Sequence, residues 1–370
     1  MDFVLLSFIC NLVYSNRMYL LYINFPSWLK PEIIPGLPAR WYGLMYIFAF
    51  ATAFLLYRRQ IKERNFPMTD DGLYSLFSWG ILGLILGARL FSTLIYYGDN
   101  TYWLKPWLIF WPFENGKFTG LMGMSYHGGA FCGCLAVIIY AKVKHFSFRE
   151  LGDMYAASIP LGYTFGRLGN FINAELYGRV TAGPLGMVFP EKSTRLLSTN
   201  EPWVREIVEK TGAVVKGGLV NLPRHPSQIY EMIFEGIILW AIIWFFRNRK
   251  PFKGFLIGLY FLGYGLFRFF IEYFREPDAH LGYRIELVKS NLPRDYLDYV
   301  HPPLSFSTGQ ILCFLMIVFG IVWLIVCSRL PNREPIRVYE GVETGPQPVK
   351  SETEKSSERN RRRSQRKKLR

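Results

Sequence analysis

One feature limits this chain more than any other: long uncharged apolar runs recur along it, separated by polar stretches, some short and some long. A bilayer core is crossed by about 20 such residues in a helix, and seven runs approach or exceed that length. They cover 41–57, 73–97, 121–141, 151–171, 229–246, 254–274 and 309–327. The fourth is interrupted by Pro160 and several glycines, which spanning helices tolerate where neighbouring helices satisfy the backbone. A soluble helical protein would show one apolar stripe and one charged face. These runs are apolar nearly all round, and 51% of the 370 residues are hydrophobic. The sequence therefore predicts an all-α integral membrane protein with seven transmembrane helices.

Charge gives the orientation. Lys and Arg accumulate in short cytoplasmic loops, whereas long loops carry no such information. Basic residues cluster after the first run (Arg58, Arg59, Lys62, Arg64), after the third (Lys142, Lys144, Arg149) and after the fifth (Arg247, Arg249, Lys250, Lys253). The alternate stretch 98–120 has only Lys105 and Lys117. These loops place the N-terminus outside and the C-terminus in the cytoplasm. The expected division is an N-terminal periplasmic or interfacial segment at 1–40 and a seven-span catalytic membrane domain at 41–327. That domain includes an extracytoplasmic loop region at 172–228, and a cytoplasmic tail follows at 328–370. The tail has thirteen basic and six acidic residues. Beside a membrane span it reads as an electrostatic contact with anionic lipid rather than a nucleic-acid arm. Its scarcity of apolar residues predicts disorder. Met1–Cys10 is apolar but lacks the basic start and cleavage site of a signal peptide. Met18 is an alternative start; otherwise this segment lies as an interfacial helix.

The five cysteines (10, 132, 134, 313, 327) form no CxxC pair, and neither a disulfide framework nor a zinc site is indicated. Small apolar packing residues describe them best.

Ionisable groups inside a bilayer are costly and point to function. At 1.5 Å per residue, the predicted topology puts Arg268, Arg89, Arg167, His127, Glu231, Glu235, Glu272 and Asn170 on the outer side. Asp153 is the exception, at the inner end of the fourth run. Proton relays and ion pathways place such groups at the midplane or through its depth. A cluster near the outer headgroups suits a headgroup substrate better. No internal duplication of the kind transporters carry is visible.

The fourth run ends in Gly166-Arg167-Leu168-Gly169-Asn170-Phe171-Ile172-Asn173-Ala174-Glu175-Leu176-Tyr177-Gly178-Arg179. Glycines let backbone approach a ligand, arginines offer planar forks for phosphate, and Asn and Glu can fix hydroxyls. This stretch resembles the signature of the bacterial prolipoprotein diacylglyceryl transferases. The resemblance spans about 40–330, through Trp41-Tyr42-Gly43-Leu44-Met45-Tyr46, Met124-Ser125-Tyr126-His127-Gly128-Gly129 and His225-Pro226-Ser227-Gln228-Ile229-Tyr230-Glu231. It continues in Gly263-Tyr264-Gly265-Leu266-Phe267-Arg268, Glu272 and Phe274-Arg275-Glu276-Pro277-Asp278. Ala174 stands where glycine is frequent.

The resemblance implies a multi-pass protein of the bacterial cytoplasmic (inner) membrane with its active site toward the outer leaflet. It implies phosphatidylglycerol as donor and the lipobox cysteine of a prolipoprotein signal peptide as acceptor. The products would be a thioether-linked diacylglyceryl protein and glycerol 1-phosphate. No cofactor, metal or nucleic acid is called for. His127 is the expected base for the thiol, Arg268 the group on the departing phosphate, and Arg167 the grip on bound lipid. Glu272 would orient Arg268, and Tyr42, Tyr264, Asn170 and Glu175 would contact headgroup or hydroxyls. Gly178 reads as a backbone position without room for a side chain. Arg179, just past the run, is expected nearer water.

Overall fold

Helix boundaries follow local signals. The computed structural model describes residues 22–34, 40–96, 100–114, 116–118, 123–276, 283–286, 299 and 305–330. Residues 1–21, Pro277-Asp278 and the basic tail from 331 lie outside the described residues. Helix α1 (Trp41–Arg64) ends at Asn65 in the left-handed region. Helix α2 (Asp70–Phe91) starts under Thr69, whose side chain accepts from the Gly72 N–H, with Asp70 and Asp71 in its positive first turn. Ser125 caps α3 (Tyr126–Val143) in the same way, accepting from the Gly128 N–H. There follow α4 (Phe148–Ala156), α5 (Ile159–Ile172), α6 (Pro202–Thr211), α7 (Ser227–Phe246), α8 (Phe255–Ile271) and α9 (Thr308–Arg329).

Among the described residues, four stretches are long and apolar enough to cross a bilayer: Asp70–Tyr96, Tyr126–Val143, Ser227–Phe246 and Thr308–Arg329. Helix α8 is apolar but has 17 residues. Helix α1 has 24, the last of them carrying Arg58, Arg59, Lys62, Glu63 and Arg64. The fourth predicted run is not one helix. It divides at Ala157–Ser158 into α4 and α5, with Pro160 in the first turn of α5, where its missing N–H costs nothing.

The helices pack in adjacent pairs, α2 with α3, α8 with α9 and α1 with α5. Lipid tails are as apolar as leucine, so close backbone approach drives such packing. At Gly87 a Cβ would lie 2.4 Å from the Gly128 carbonyl oxygen and 2.3 Å from the Cys132 Cβ. Outward faces are apolar too: Ile47, Leu55, Phe131, Ile139, Phe245, Phe314 and Val322 are exposed. Such a surface would aggregate in water and is matched to lipid. The chain is a mostly helical membrane protein.

The sequence predicts a loop region at 172–228; between α5 and α7, residues 173–226 fold into a small unit of their own. Leu219–Val220 pairs antiparallel with both Leu197–Ser198 and Val215–Lys216. Trp203, Val204 and Ile207 of α6 pack with Val180, Val220 and Leu222 to form its buried core. If the unit lies in water, as the sequence leads one to expect, burying each of these side chains contributes about 1.5–3 kcal/mol. Ile23–Asn24 joins in parallel with Met187–Val188.

Candidate active site

Helices α5, α7 and α8 converge on one carboxylate. Glu231, fully buried near the start of α7, places Oε2 2.7 Å from Arg167 Nε and 2.9 Å from Arg268 Nη1. One oxygen therefore bridges two guanidinium groups carried by different helices. Tyr163, one turn before Arg167 on α5, sits at the same junction. Its hydroxyl accepts from Arg167 Nε at 2.6 Å and lies 2.5 Å from Glu235 Oε2 and 3.2 Å from Glu231 Oε2. The α7 backbone widens into a π turn over Met232–Ile238, a local widening common at functional sites. It begins directly after Glu231 and contains Glu235.

The cluster continues past α8. Arg268 Nη2 is 3.3 Å from Glu272 Oε2, and Arg275 Nε lies 3.7 Å from Glu231 Oε1 and 4.0 Å from Glu272 Oε2. Ser307 donates to Glu272 Oε1 at 3.1 Å. On the other flank Arg167 Nη1 donates to Asn170 Oδ1 at 3.3 Å, and Asn170 Nδ2 donates to Glu175 Oε1 at 2.9 Å. Gln228 Nε2 donates to the Glu175 carbonyl at 2.6 Å. Three arginines (167, 268, 275) thus face three carboxylates (231, 235, 272), all held between helices. Several atoms remain without a hydrogen bond although buried: Arg268 Nη1, Arg275 Nε, Glu231 Oε1 and Glu235 Oε1.

Most residues expected from sequence meet here. Arg167, Asn170, Glu175, Arg268 and Glu272 form one connected network. Tyr264 packs edge-on to Tyr163 with ring centroids 6.0 Å apart. The Tyr42 ring lies against Gly169, where a Cβ would be 3.1 Å from its Cδ2, and its hydroxyl is 3.1 Å from that of Tyr46. Gly178 takes part through its backbone. Its N–H donates to the His225 carbonyl at 2.8 Å, and a Cβ there would sit 2.2 Å from the Phe274 carbonyl oxygen. The segment after α5 is thereby fastened to the one before α7, and the Arg179 N–H, donating to the Phe274 carbonyl at 2.9 Å, fastens it to the segment after α8.

His127 stands apart from this network. It is exposed near the start of α3, with Nδ1 3.4 Å from the Tyr96 hydroxyl. Its neighbour Tyr126 lies within electrostatic reach of Arg167, Glu235 and Arg268. Arg89 is also elsewhere: it is buried, donates to the Ile109 and Gly123 carbonyls, and lies over the Tyr102 ring. Arg179, expected nearer water, is 3% exposed and donates to the Tyr273 carbonyl at 3.1 Å. The close apposition of the segments joined at Gly178 encloses it.

Sequence reasoning placed Glu231 and Glu235 in the outer polar cluster, and Arg275 in a family motif, without giving them a role, and left Tyr163 out altogether. A signal was present. A buried intramembrane acid needs a cationic partner, and Tyr163/Arg167 and Glu231/Glu235 are each spaced four apart, one above the other on a helix face.

Residues 32–326 match the family model described as prolipoprotein diacylglyceryl transferase. The chain belongs to the prolipoprotein diacylglyceryl transferase family. It is a membrane-embedded transferase of lipoprotein biosynthesis. Relatives named phosphatidylglycerol–prolipoprotein diacylglyceryl transferase include one from Treponema denticola, 53% identical over 83% of this chain and 95% of its own length. Another, from Treponema pallidum, is 49% identical over 86% and 99% respectively. A third, from Chlorobaculum tepidum, is 40% identical over 81% and 91%. The bridged pair of arginines lies within the matched region.

Proposed function

We propose that the chain transfers the diacylglyceryl group of phosphatidylglycerol to the lipobox cysteine of prolipoproteins, the first step of lipoprotein maturation. The relatives' names supply both substrates, and the observation that carries the chemistry is the Glu231-bridged pair Arg167 and Arg268. The sulfur attacks the glycerol carbon that bears the phosphate ester. A carbon–sulfur bond forms, the carbon–oxygen bond breaks with its electron pair passing to phosphate, and the thiol proton leaves. The products are a thioether and glycerol 1-phosphate.

A free thiol has a pKa of about 8.5 and is mostly protonated at neutral pH. A base or cationic surroundings must lower that barrier, and His127 is assigned as the base. Phosphate gains a charge as the ester bond breaks, and a preorganised guanidinium lowers the energy of that charge. Arg268 takes this role, oriented by Glu272, while Arg167 grips the bound lipid. Asn170, Glu175, Tyr42 and Tyr264 contact headgroup and hydroxyls, and Gly178 keeps the enclosing backbone close.

The same reading assigns seven spans in the bacterial inner membrane, α4 and α5 together forming the fourth. The N-terminus is outside, the C-terminus is cytoplasmic, and the site faces the outer leaflet. Residues 1–40 then form the outer segment, 41–327 the catalytic domain, and 328–370 a basic cytoplasmic tail. An impermeant thiol reagent on intact cells tests this arrangement with single cysteines in a cysteine-free background. Positions 98 and 221 are expected to label and 63 and 345 to stay unlabelled; labelling of 345 together with 98 refutes the odd number of spans. For the chemistry, purified protein is given phosphatidylglycerol and a lipobox peptide. Release of glycerol phosphate with a lipidated peptide is expected, and folded protein yielding neither overturns the assignment.

A further inference from the structure

We infer that Ser307 is a positioning residue for Arg268, acting through Glu272 from the N-terminus of the last helix. This rests on the phosphate role proposed for Arg268. Ser307 is the N-cap of α9, and a reciprocal pair of bonds fixes it: its Oγ accepts from the Gln310 N–H at 3.2 Å while Gln310 Oε1 accepts from the Ser307 N–H at 3.0 Å. A hydroxyl has one proton to give. Here that proton goes to Glu272 Oε1 at 3.1 Å. The other Glu272 oxygen faces Arg268 Nη2 at 3.3 Å. Cap, carboxylate and guanidinium form one chain of contacts.

Two further observations indicate that the carboxylate is seated deliberately against the helix end. A Cβ at Gly309, in the first turn of α9, would lie 2.7 Å from Glu272 Oε1, so that turn leaves the carboxylate its space. An anion there also meets the positive end of a 22-residue helix. Ser307 and Gln310 are both buried, which keeps water from replacing the bond. Glu272 is thereby fixed on the side away from Arg268, and the direction in which it pulls the guanidinium is set by α9.

The full-length protein tests this in a double-mutant cycle, with turnover measured on phosphatidylglycerol and a lipobox peptide. Glycine is a competent N-cap but has no proton to give. Ser307→Gly is expected to lower kcat roughly five- to thirtyfold, with KM for phosphatidylglycerol nearly unchanged. In a Glu272→Gln background the same change is expected to have almost no further effect. Ser307→Thr, which retains both bonds, is expected to recover the rate. A cap serving only the helix would give equal losses in both backgrounds, and that result overturns the inference. So does undiminished turnover in Ser307→Gly. If Glu272→Gln turnover is too slow to measure, equal losses in Ser307→Gly and Ser307→Thr overturn it instead. Wild-type turnover in Arg268→Lys would refute the parent assignment; impaired Arg268→Lys with additive Ser307 effects refutes this inference alone.

Discussion

Two fully buried carboxylates, Asp153 and Glu231, lie near opposite ends of α8 and are satisfied in opposite ways. Both Asp153 oxygens are used: Oδ2 accepts from Lys250 Nζ at 2.8 Å and Gly254 N at 2.9 Å, and Oδ1 from Leu256 N at 2.9 Å and Ile257 N at 3.2 Å. Three of these donors are backbone groups at the N-terminus of α8, which cannot turn elsewhere. Glu231 is held by side chains alone, and its Oε1 has no hydrogen bond. Fixed and complete donors make a staple. Side-chain donors that leave one oxygen unfilled suit the role proposed for the arginines, because a guanidinium has five N–H donors to distribute. Equal burial therefore does not imply equal purpose.

The largest expected effect lies at the staple. Asp153→Ala leaves Lys250 buried without its counter-charge and is expected to cost about 3–5 kcal/mol, read as a fall in thermal midpoint and in inserted protein. Undiminished stability would erase the contrast between the two ends. At the other end, Arg167→Lys and Arg268→Lys keep the charge and lose the planar fork. Each is expected to lower turnover roughly ten- to a hundredfold while insertion and thermal midpoint stay near wild type. Near-normal turnover in both, with lipid and peptide below saturation, removes them from the mechanism.

A smaller effect is expected from Tyr163→Phe, which deletes only the hydroxyl between Arg167 and Glu235. Turnover should fall about five- to tenfold. An unchanged rate would show that the Glu231 bridge alone suffices to set Arg167. The smallest concerns acid. Burial, with Arg179 nearby, lowers the His225 pKa to about 4. Between about pH 6.5 and that value the unfolded chain binds the extra proton, so stability falls as pH falls. His225→Phe keeps the ring contacts with Tyr230 and Phe274 and should flatten the pH dependence of the thermal midpoint over that range. An unaltered slope would move the acid response to the carboxylate cluster.

What the sequence disclosed was what a single segment can disclose. Apolarity belongs to each run by itself, so 229–246 and 309–327 reappear as Ser227–Phe246 and Thr308–Arg329. The break at Ala157–Ser158 escaped because Pro160 in a first turn and Pro160 inside a span look alike in one dimension. The sheet at 197–220 escaped because strands two residues long carry no periodicity. Within the site, Arg167 and Arg268 stood out as charges in apolar surroundings. Their meeting on Glu231 did not, because it depends on how α5, α7 and α8 pack, and the bridging residue is 64 positions from one arginine and 37 from the other.

Helix α8 has 17 residues, about 25 Å at 1.5 Å per residue, whereas a hydrocarbon core is about 30 Å thick. If it is the sixth span, as proposed, it falls short by several ångströms, and thinning of the bilayer is one way in which a short span is accommodated. Arg268 occupies its last turn. Under the phosphate role proposed for Arg268, such thinning would bring lipid headgroups to the level of that arginine. The same proposal expects turnover to fall in bilayers of longer acyl chains.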